Sequence, residues 1–296
     1  NSSQTGAQLM FRHGLVVGKF WPLHAGHSNL IQTALSRCER VTVQLLVHPE
    51  EDIPLETRAN WIREIHPEAQ LVTGMDDVPT DFEDPDIWDR HMAIIEGLLD
   101  APVDAVFTSD EYGGELAERL NAHWVQVDAG RRLTPVSGTA VRADPIANWQ
   151  FLHPAVRQYF CRRVIVLGAE STGTTTLALA LAEALDCPYV PEYGREYTYD
   201  RTGGPTAPWT TEEFVHIVER QNETEDQAAR ASENGWMVGD TDAFATRLWH
   251  ERYMGFASTE VDQVAVGGYQ PAQSQLASQR HVCLLVVALA VYGEQV

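Results

Sequence analysis

The chain contains a single lysine, and the residues around it are of types that bind phosphate. Lys19 stands among twenty arginines, since lysine and arginine together number 21. His24 and His27 follow it, three residues apart, so both imidazoles can donate to one phosphate group at the mouth of a helix. A lysine ammonium is a compact charge on a flexible stem and suits a mobile polyphosphate. This cluster predicts nucleotide phosphate chemistry. The alternative is that an arginine-rich composition left one lysine at random.

The residues from Gly18 to His27 have the pattern Gly-x-Phe-x-Pro-x-His-x-Gly-His. They follow the apolar run 15–17 and precede a predicted helix. Gly18 lets the backbone approach a ligand, and Gly26 leaves space beside it. The N-terminus of the helix adds backbone N–H donors and the positive end of its dipole. We therefore predict a strand–loop–helix phosphate site whose histidines stabilise negative charge as it shifts during a reaction.

A second motif, Ser137-Gly138-Thr139 with Arg142 three residues later, follows the last predicted strand of the same block. Serine and threonine hydroxyls are typical of helix N-caps. With Gly138 they can form another helix start that binds an anion, and Arg142 can clamp phosphate oxygens bidentately from one turn further on. By itself this pattern is as often a plain helix cap. Its combination with the first motif favours a shared phosphate site.

The composition indicates two soluble domains and excludes some functions. A length of 296 residues favours two domains, at roughly 150 residues each. The formal charge of −21 argues against a general nucleic-acid binder, which would carry a basic face.

The apolar stretch 282–292 is too short to span a bilayer and predicts a buried strand. We expect no membrane partner, and we expect residues before about Met10 to be a disordered or non-native leader.

The cysteines are too scattered for a zinc site or a disulfide framework. The four cysteines are Cys38, Cys161, Cys187 and Cys283. Their wide spacing predicts reduced thiols and therefore a cytoplasmic location.

Apolar runs alternate with amphipathic stretches in the first half, which is typical of a parallel α/β sheet. The predicted strands cover residues 15–17, 41–47, 70–73, 105–108 and 124–127. The predicted helices cover residues 27–37, 56–65, 87–99 and 114–121.

The same alternation restarts after a connector. We place a first domain at 10–146, the connector at 147–162 and a second domain at 163–296. In the second domain the predicted elements are a strand at 164–167, helices at 175–185 and 210–230, and a strand at 236–238. The fold class predicted from this order is α/β, with a Rossmann-like nucleotidylyltransferase domain followed by a P-loop kinase-like domain.

The second domain begins with a predicted strand and a phosphate-binding loop that contains one unusual residue. Between a strand and a helix the sequence has the frame G-x-x-x-x-G-K-[ST], with Thr174 where lysine belongs. The backbone cradle survives, and Thr175 can ligate Mg²⁺. An arginine elsewhere, for example Arg247, is a candidate for the missing cation. The residues assigned to this ATP-binding loop are Gly168, Ser171, Thr172, Gly173, Thr174, Thr175 and Thr176.

Two aspartates follow the strand at 236–238. Asp240 is the candidate acidic metal ligand or base of a P-loop kinase, and Asp242 is a candidate for orienting a nucleoside hydroxyl. The competing interpretation is that both are surface or ion-paired charges.

The motifs resemble those of the HxGH nucleotidylyltransferase superfamily, GxFxPxHxGH and SGTxxR. Over about residues 14–285 the chain resembles the bifunctional nicotinamide mononucleotide adenylyltransferase/ribosylnicotinamide kinases of the NadR type. The stretch 107–113 and the later Gly-Ala-Glu-Ser and Asp-Thr-Asp segments also match. About a dozen residues precede the first strand, so we expect no DNA-binding domain, no repressor role and no nucleic-acid partner.

For the first domain the resemblance implies adenylyl transfer from ATP to nicotinamide mononucleotide (NMN), giving NAD and pyrophosphate. It implies catalytic roles for His24, His27, Lys19 and Arg142. ATP-binding roles fall on Gly18, Phe20, Gly26, Ser137, Gly138 and Thr139. Mg²⁺ would be held mainly by substrate oxygens. Trp88 is either a stacking partner for the nicotinamide ring or a core residue.

For the second domain the resemblance implies phosphorylation of nicotinamide riboside by ATP. Asp240 is the expected catalytic residue and shares Mg²⁺ with Thr175. The segment 191–197 resembles the family's nucleoside side, so the substrate candidates are Glu192, Tyr193, Arg195 and Asp242. The chain departs from the family at Thr174 and after Leu285, where it looks truncated.

These departures predict a working adenylyltransferase joined to a kinase domain that is weak, altered or inactive. Two other functions stay open: nucleotidyl transfer to another phosphate acceptor, and a non-catalytic nucleotide sensor. A homo-oligomeric state and the preference between the amide and acid mononucleotides are also open.

Overall fold

The computed structural model describes residues 10–79, 84–169, 171–267 and 282–287. The chain divides into two compact units, Asn1–Val156 and Arg157–Val296, at a point inside the predicted connector 147–162. The predicted leader before Met10 and the end of the predicted last strand, 288–292, lie outside the described residues.

The first unit is built on a parallel sheet with the strand order β3-β2-β1-β4-β5. These strands are β1 Phe11–Gly18, β2 Cys38–Val47, β3 Gln70–Met75, β4 Ala105–Thr108 and β5 His123–Gln126. The order runs away from β1 in both directions, so the carboxyl ends of β1 and β4 form a switch point, where α/β sheets bind ligands.

Each strand of this unit is followed by a helix. They are α1 Ala25–Arg37, α2 Leu55–Ile65, α3 Pro85–Gly97, α4 Gly113–Arg119 and α5 Gly138–Ala143. Helix α1 buries Leu30, Ile31 and Ala34 at the spacing of one helical face. Helix α3 starts where Asp84 accepts a hydrogen bond from the backbone N–H of Asp86 at 2.9 Å.

The core of the first unit joins the sheet to α3 and α4. Leu15 and Val106 on neighbouring strands pack with Leu46, Trp88 and Ile95. All five side chains are buried. This cluster lies below the switch point and fixes the strand ends from which the site is built.

Strand β1 is longer than the predicted run 15–17 because its polar residues find partners. His13 is buried, and its ring nitrogens lie 2.9 Å from the Pro102 carbonyl and 2.8 Å from Thr42 Oγ1. A buried imidazole with both nitrogens bonded is compatible with a central strand. Hydrophobic patterning alone cannot detect such an arrangement.

The second unit has a parallel sheet with the order β7-β8-β6-β9. Its strands are β6 Arg162–Gly168, β7 Tyr189–Val190, β8 Trp236–Gly239 and β9 Val282–Val287. Its helices are α7 Thr174–Leu185, α8 Tyr193–Asp200, α9 Thr211–Ala231, α10 Thr246–Met254 and α11 Thr259–Gly267, with α6 Pro154–Phe160 at the division between the units. Sequence patterning missed the two-residue β7 and helices α8, α10 and α11, which are short.

None of the helices that the structure describes combines the length and apolar character needed to cross a membrane.

Replacing Leu15 by alanine should destabilise the first unit strongly. The side chain is fully buried in the central strand, so Leu15→Ala removes apolar contacts and leaves a cavity, at a cost of about 2–5 kcal/mol. Leu133→Ala is the matched control, because Leu133 is 81% exposed and should change the free energy of unfolding by less than about 0.5 kcal/mol. Urea unfolding of both variants measures the difference. Equal effects would contradict the assigned core.

Candidate functional site

The two motifs of the first unit meet at the switch point of its sheet. Arg142, on α5, donates from Nη1 to the backbone carbonyl of Trp21, a contact that spans 121 residues of sequence. Its guanidinium carbon lies 3.6 Å from the centroid of the Trp21 ring. A Cβ on Gly138 would stand 2.6 Å from the same carbonyl oxygen, so a side chain there would push the segments apart. The motifs therefore form one site.

The hydroxyls of Ser137 and Thr139 form hydrogen bonds within the second motif, next to its contact with Trp21. Ser137 Oγ accepts a hydrogen bond from the backbone N–H of Ala140 at 3.1 Å and caps α5. Thr139 Oγ1 accepts from Arg142 Nη2 at 3.2 Å. Ser137 thus caps the helix, and Thr139 helps to hold the arginine.

The two histidines of the first motif are stacked against each other. The rings of His24 and His27 lie 3.8 Å apart between centroids with an interplanar angle of 21°. Phe20, which is buried, contacts the His27 ring edge-on at 5.1 Å. A Cβ on Gly26 would come within 3.1 Å of the His24 ring. Glycine at this position and the phenylalanine therefore set the position of both imidazoles.

Burial keeps both imidazoles neutral. Desolvation, helped by the nearby positive charge of Arg131, lowers the pKa of His24 to about 4. Desolvation also holds the pKa of His27 well below its usual range, and the proximity of His24 and Arg131 adds to the effect. Neither Nδ1 atom has a hydrogen-bond partner of good geometry among the described residues. Buried polar atoms without partners are costly, so this pair is suited to receiving a ligand.

Lys19 is paired with a buried glutamate. Lys19 Nζ lies 2.9 Å from Glu51 Oε1, and the other oxygen of Glu51 lies 2.6 Å from Arg58 Nη1. Arg58 also donates to the Lys19 carbonyl at 2.9 Å. Burial alone would raise the pKa of Glu51, but hydrogen bonds from Arg58 and Lys19 outweigh it and lower that pKa. Sequence reasoning missed both partners, which stand in a polar turn and on α2 without any motif.

A cavity of about 340 Å³ opens beside these residues. One end is polar, with Lys19, His24, His27 and Arg131. The other end is largely apolar, lined by residues of the core and its margin: Leu46, Trp88, Ile95, Tyr112 and Leu116. A cavity with apolar walls and a few convergent polar groups is typical of a small-molecule site.

Arg131 is a cation of this cavity that the sequence analysis did not identify. It stands in a left-handed turn, with φ of 53°. Its Nη2 lies 3.3 Å from both carboxylate oxygens of Asp110. Asp128 fixes the turn by accepting from the backbone N–H groups of Leu133 and Thr134, each at 2.8 Å. The spacing of residues in the sequence does not identify Arg131, because the position of its side chain in the cavity depends on the conformation of this turn.

Trp88 is a core residue, as one of its two interpretations held, and its stacking on a nicotinamide ring stays a prediction. Its side chain is buried in the core of the first unit, and it also lines the apolar end of the cavity. The guanidinium of Arg119 lies 5.4 Å from its ring centroid. Near it, Asp76 Oδ2 lies 2.8 Å from His91 Nδ1, a polar pair that sequence patterning did not single out.

The second site is the loop between β6 and α7. Ser171 and Gly173 have φ of 64° and 86°, and Thr172 Oγ1 donates to the Ala169 carbonyl at 2.6 Å. Left-handed residues before a helix turn successive N–H groups toward an anion. Thr174 to Thr176 form the first turn of α7, which begins six residues after Gly168. Residue 170 lies outside the described residues.

The structure brings together the two residues assigned to the metal. Asp240 directly follows β8, and its Oδ2 accepts a hydrogen bond from Thr175 Oγ1 at 2.5 Å. The Tyr189 hydroxyl lies 3.5 Å from the same oxygen. A hydroxyl and a carboxylate are ligands of the kind that Mg²⁺ prefers.

The candidate cation Arg247 lies elsewhere. Its Nε is 2.5 Å from Asp262 Oδ1, and its guanidinium lies over the Phe244 ring at 4.4 Å. The arginine at the loop is Arg195, whose Nη1 donates to Thr175 Oγ1 at 3.1 Å. Arg247 is thus paired with Asp262 in this structure, and its role as the missing cation stays a prediction.

The nucleoside-side candidates lie around the start of α8. Glu192 pairs with Arg195 at 2.8 Å, and the Tyr193 hydroxyl lies 3.1 Å from His216 Nε2. Asp242 is buried and accepts from the Ala245 N–H at 2.8 Å, and burial raises its pKa. In this structure Asp242 therefore makes a local backbone contact.

Comparisons with known proteins agree with this geometry. A family model described as AAA domain matches residues 163–276. The trifunctional NAD biosynthesis/regulator protein NadR of Escherichia coli K12 is 27% identical over 262 residues, which is 82% of this chain and 63% of that protein. The nicotinamide-nucleotide adenylyltransferase of Aeropyrum pernix is 30% identical over 158 residues, 49% of this chain and 88% of that enzyme.

Two solved structures of NadR protein share the fold. One, in complex with NR, has a TM-score of 0.68 at 22% identity. The match covers 96% of this chain and 81% of the NadR chain. The other, in complex with NAD and AMP-PNP, has a TM-score of 0.67 at 23% identity. The match covers 95% of this chain and 82% of the NadR chain.

The parallel sheets, the joined motifs and the P-loop frame define a nucleotidylyltransferase-type unit followed by a P-loop-type unit, as the fold class predicted. The likeness to the Aeropyrum enzyme shows that the chain belongs to the nicotinamide-nucleotide adenylyltransferase family. The predicted resemblance to NadR-type proteins is confirmed, and the chain spans about 63% of the length of the NadR relative.

The stability of the protein should fall in acid in part because of His24. Unfolded histidine takes up a proton near pH 6.5, whereas folded His24 stays neutral down to about pH 4. Protonation then favours the unfolded chain, so the free energy of unfolding decreases as pH falls through this window, by about 2 kcal/mol at pH 5. His24→Gln should remove that loss.

The measurement is urea unfolding at pH 7.5 and pH 5. The control is Leu133→Ala, which changes an exposed side chain that does not titrate and should keep the parent's pH dependence. An unchanged pH dependence in His24→Gln would contradict the neutral, buried imidazole.

Proposed function

We propose that the first unit transfers AMP from ATP to nicotinamide mononucleotide, giving NAD and pyrophosphate. The observation that carries this proposal is the junction of the two motifs at Arg142 and Trp21 beside a cavity with a neutral histidine pair. The 30% identity to a nicotinamide-nucleotide adenylyltransferase supports it. The two ends of the cavity fit a phosphate chain and an aromatic ring.

In this reaction a 5′-phosphate oxygen of the mononucleotide attacks the α-phosphorus of ATP. The bond from that phosphorus to the oxygen bridging to the β-phosphate breaks, and pyrophosphate leaves with the electron pair. The attacking phosphate is already ionised, so no protein nucleophile or base is needed. Catalysis is then positioning together with stabilisation of charge on the transferred and leaving groups.

The chain's own groups have distinct parts in this scheme. Each neutral imidazole of His24 and His27 offers an N–H to a phosphate oxygen. Lys19, half-exposed, can turn from Glu51 toward the polyphosphate. Arg131 adds a second cation at the polar end. Mg²⁺, when bound to the phosphates, would neutralise part of their charge and would be held mainly by substrate oxygens.

The apolar end of the cavity is the proposed seat of the nicotinamide ring. Trp88 presents an aromatic surface there, and aromatic pairs stack favourably. The carboxylate of Asp76 lines the same cavity.

We propose that the second unit binds ATP and phosphorylates nicotinamide riboside, more weakly than a P-loop with its lysine would. The contact of Thr175 with Asp240 supports this proposal, as do the complexes of similar NadR structures with NR and AMP-PNP. Thr175 and Asp240 would hold Mg²⁺. The three cysteines described as free, Cys38, Cys161 and Cys187, fit the cytoplasmic location that we propose for the protein.

Loss of a charged donor in the first site should reduce NAD formation sharply. We expect Lys19→Ala and His27→Ala each to lower kcat/KM for NMN adenylylation by about 10²-fold or more, as for single donors to developing charge. Thr174→Ala, in the other unit, should leave this rate nearly unchanged. A steady-state assay of NAD formation decides. Equal losses in Lys19→Ala and Thr174→Ala would mean that the two sites are wrongly divided.

A paired assay separates the two proposed activities. With Mg²⁺ and ATP, one reaction receives NMN and is read for NAD, and the other receives nicotinamide riboside and is read for NMN. We expect rapid NAD formation and slow riboside phosphorylation, and Asp240→Asn should abolish only the second product because it removes a metal-binding charge. Tight nucleotide binding without either product would favour a sensor. Turnover with another phosphate acceptor alone would change the substrate.

A further inference from the structure

The phosphate-binding loop of the second unit lacks its lysine, and the sequence of that unit contains no other lysine. Thr174 stands at the lysine position of the frame, and the single lysine, Lys19, belongs to the first unit. In a P-loop the lysine reaches the β- and γ-phosphates. A fixed positive side chain at those phosphates therefore has to be an arginine, which remains charged at any physiological pH.

Arg195 is placed to be that cation. It lies in the first turn of α8, and its Nη1 donates to Thr175 Oγ1 at 3.1 Å. The same hydroxyl donates to Asp240 Oδ2 at 2.5 Å. In P-loop proteins this hydroxyl ligates the Mg²⁺ that bridges the β- and γ-phosphates. The guanidinium thus stands one hydrogen bond from the place where those phosphates must bind.

Other arginines of the unit are committed to protein partners. Arg163 is buried against Glu225 and Asp226. Arg201 is buried, pairs with Glu213 and donates to two backbone carbonyls. Arg195, in contrast, has a side chain that is 55% exposed. Arg195 also donates a hydrogen bond to Thr175, a residue of the loop.

The helix that carries Arg195 is held in place by a buried chain of hydrogen bonds. Gln221 Oε1 accepts from the backbone N–H of Tyr193 at 3.0 Å, and Gln221 Nε2 donates to Glu225 at 3.3 Å. Glu225 in turn pairs with Arg163 on β6, the strand that leads into the loop. The start of α8 and the loop are therefore tied to the same strand. The remaining contact of Arg195, with Glu192 at 2.8 Å, restrains its side chain locally.

We propose that Arg195 binds the β- and γ-phosphates of ATP in the second unit and replaces the missing lysine. This inference rests on the proposed ATP site of that unit. It moves Arg195 from the nucleoside side, where the resemblance placed it, to the phosphate side. An arginine fork can contact two phosphate oxygens at once, which a lysine cannot do in the same geometry.

The test is binding of AMP-PNP with Mg²⁺ to the full chain, measured by isothermal titration calorimetry. Saturating NAD is present to occupy the first site. Arg195→Ala should weaken binding of AMP-PNP by about tenfold or more, since it removes charge-assisted hydrogen bonds. Binding of AMP, which lacks the β- and γ-phosphates, should stay within about twofold of the parent.

Two further variants make the result specific. Arg252→Ala removes the same charge from an exposed arginine of α10, which lies over Trp249, and should bind AMP-PNP like the parent. Adding Thr174→Lys to Arg195→Ala restores a cation at the loop and should recover most of the affinity. Thermal unfolding and AMP binding of each variant establish that its second unit is folded.

The outcomes separate this inference from the proposed function. Parental affinity of Arg195→Ala for AMP-PNP would overturn the role of Arg195 and leave the ATP site standing. Equal losses for AMP and AMP-PNP would also overturn it, since the effect would then not concern the outer phosphates. A parent chain that makes NAD but binds no AMP-PNP under these conditions would overturn the second ATP site and the inference together.

Discussion

Arg142 reaches the loop that carries the histidines, and the first site depends on this contact. The guanidinium donates to the Trp21 carbonyl and lies over the Trp21 ring. The close approach of Gly138 to the same carbonyl makes room for it. A hydrogen bond from a charged group to a partly buried carbonyl is stronger than a neutral one. It fixes α5 against the strand–loop–helix segment, and Gly138 of α5 lines the cavity together with His24 and His27.

Charged side chains of both signs line this cavity, since Asp76, Asp110 and Asp128 accompany Lys19 and Arg131. The chain has a formal charge of −21, yet Lys19, Arg58 and Arg131 gather at the polar end or just behind it. Glu51 lies buried between two of them and offsets part of their repulsion. Burial keeps the histidine pair neutral, which avoids two positive charges at a ring separation of 3.8 Å. A phosphate bound here, as we propose, would meet imidazole donors that do not repel one another.

The candidate site of the second unit also lies at the carboxyl ends of parallel strands, but it is built from different residues. There the loop after β6 offers backbone N–H groups, and Asp240 at the end of the neighbouring β8 contacts the Thr175 hydroxyl. Parallel strands bring these ends together without any long side chain. With Thr174 at the lysine position the loop keeps the backbone geometry of a phosphate-binding loop, because Ser171 and Gly173 are left-handed.

Local spacing in the sequence was enough to predict the α/β class, the strand–loop–helix phosphate motifs and the places of His24, His27, Thr175 and Asp240. Each of these rests on residues within a few positions of a strand end, where the chain itself fixes the geometry. The sequence also showed that Thr174 breaks the loop pattern.

Tertiary structure alone decided which distant residues complete the sites. Glu51 and Arg58 hold Lys19, Arg131 enters the cavity through a left-handed turn, and Arg195 reaches Thr175 while Arg247 turns to Asp262. These side chains come from separate elements, so no spacing in the chain encodes their contacts. Their positions follow from how strands and helices pack, and packing depends on burial summed over the whole unit.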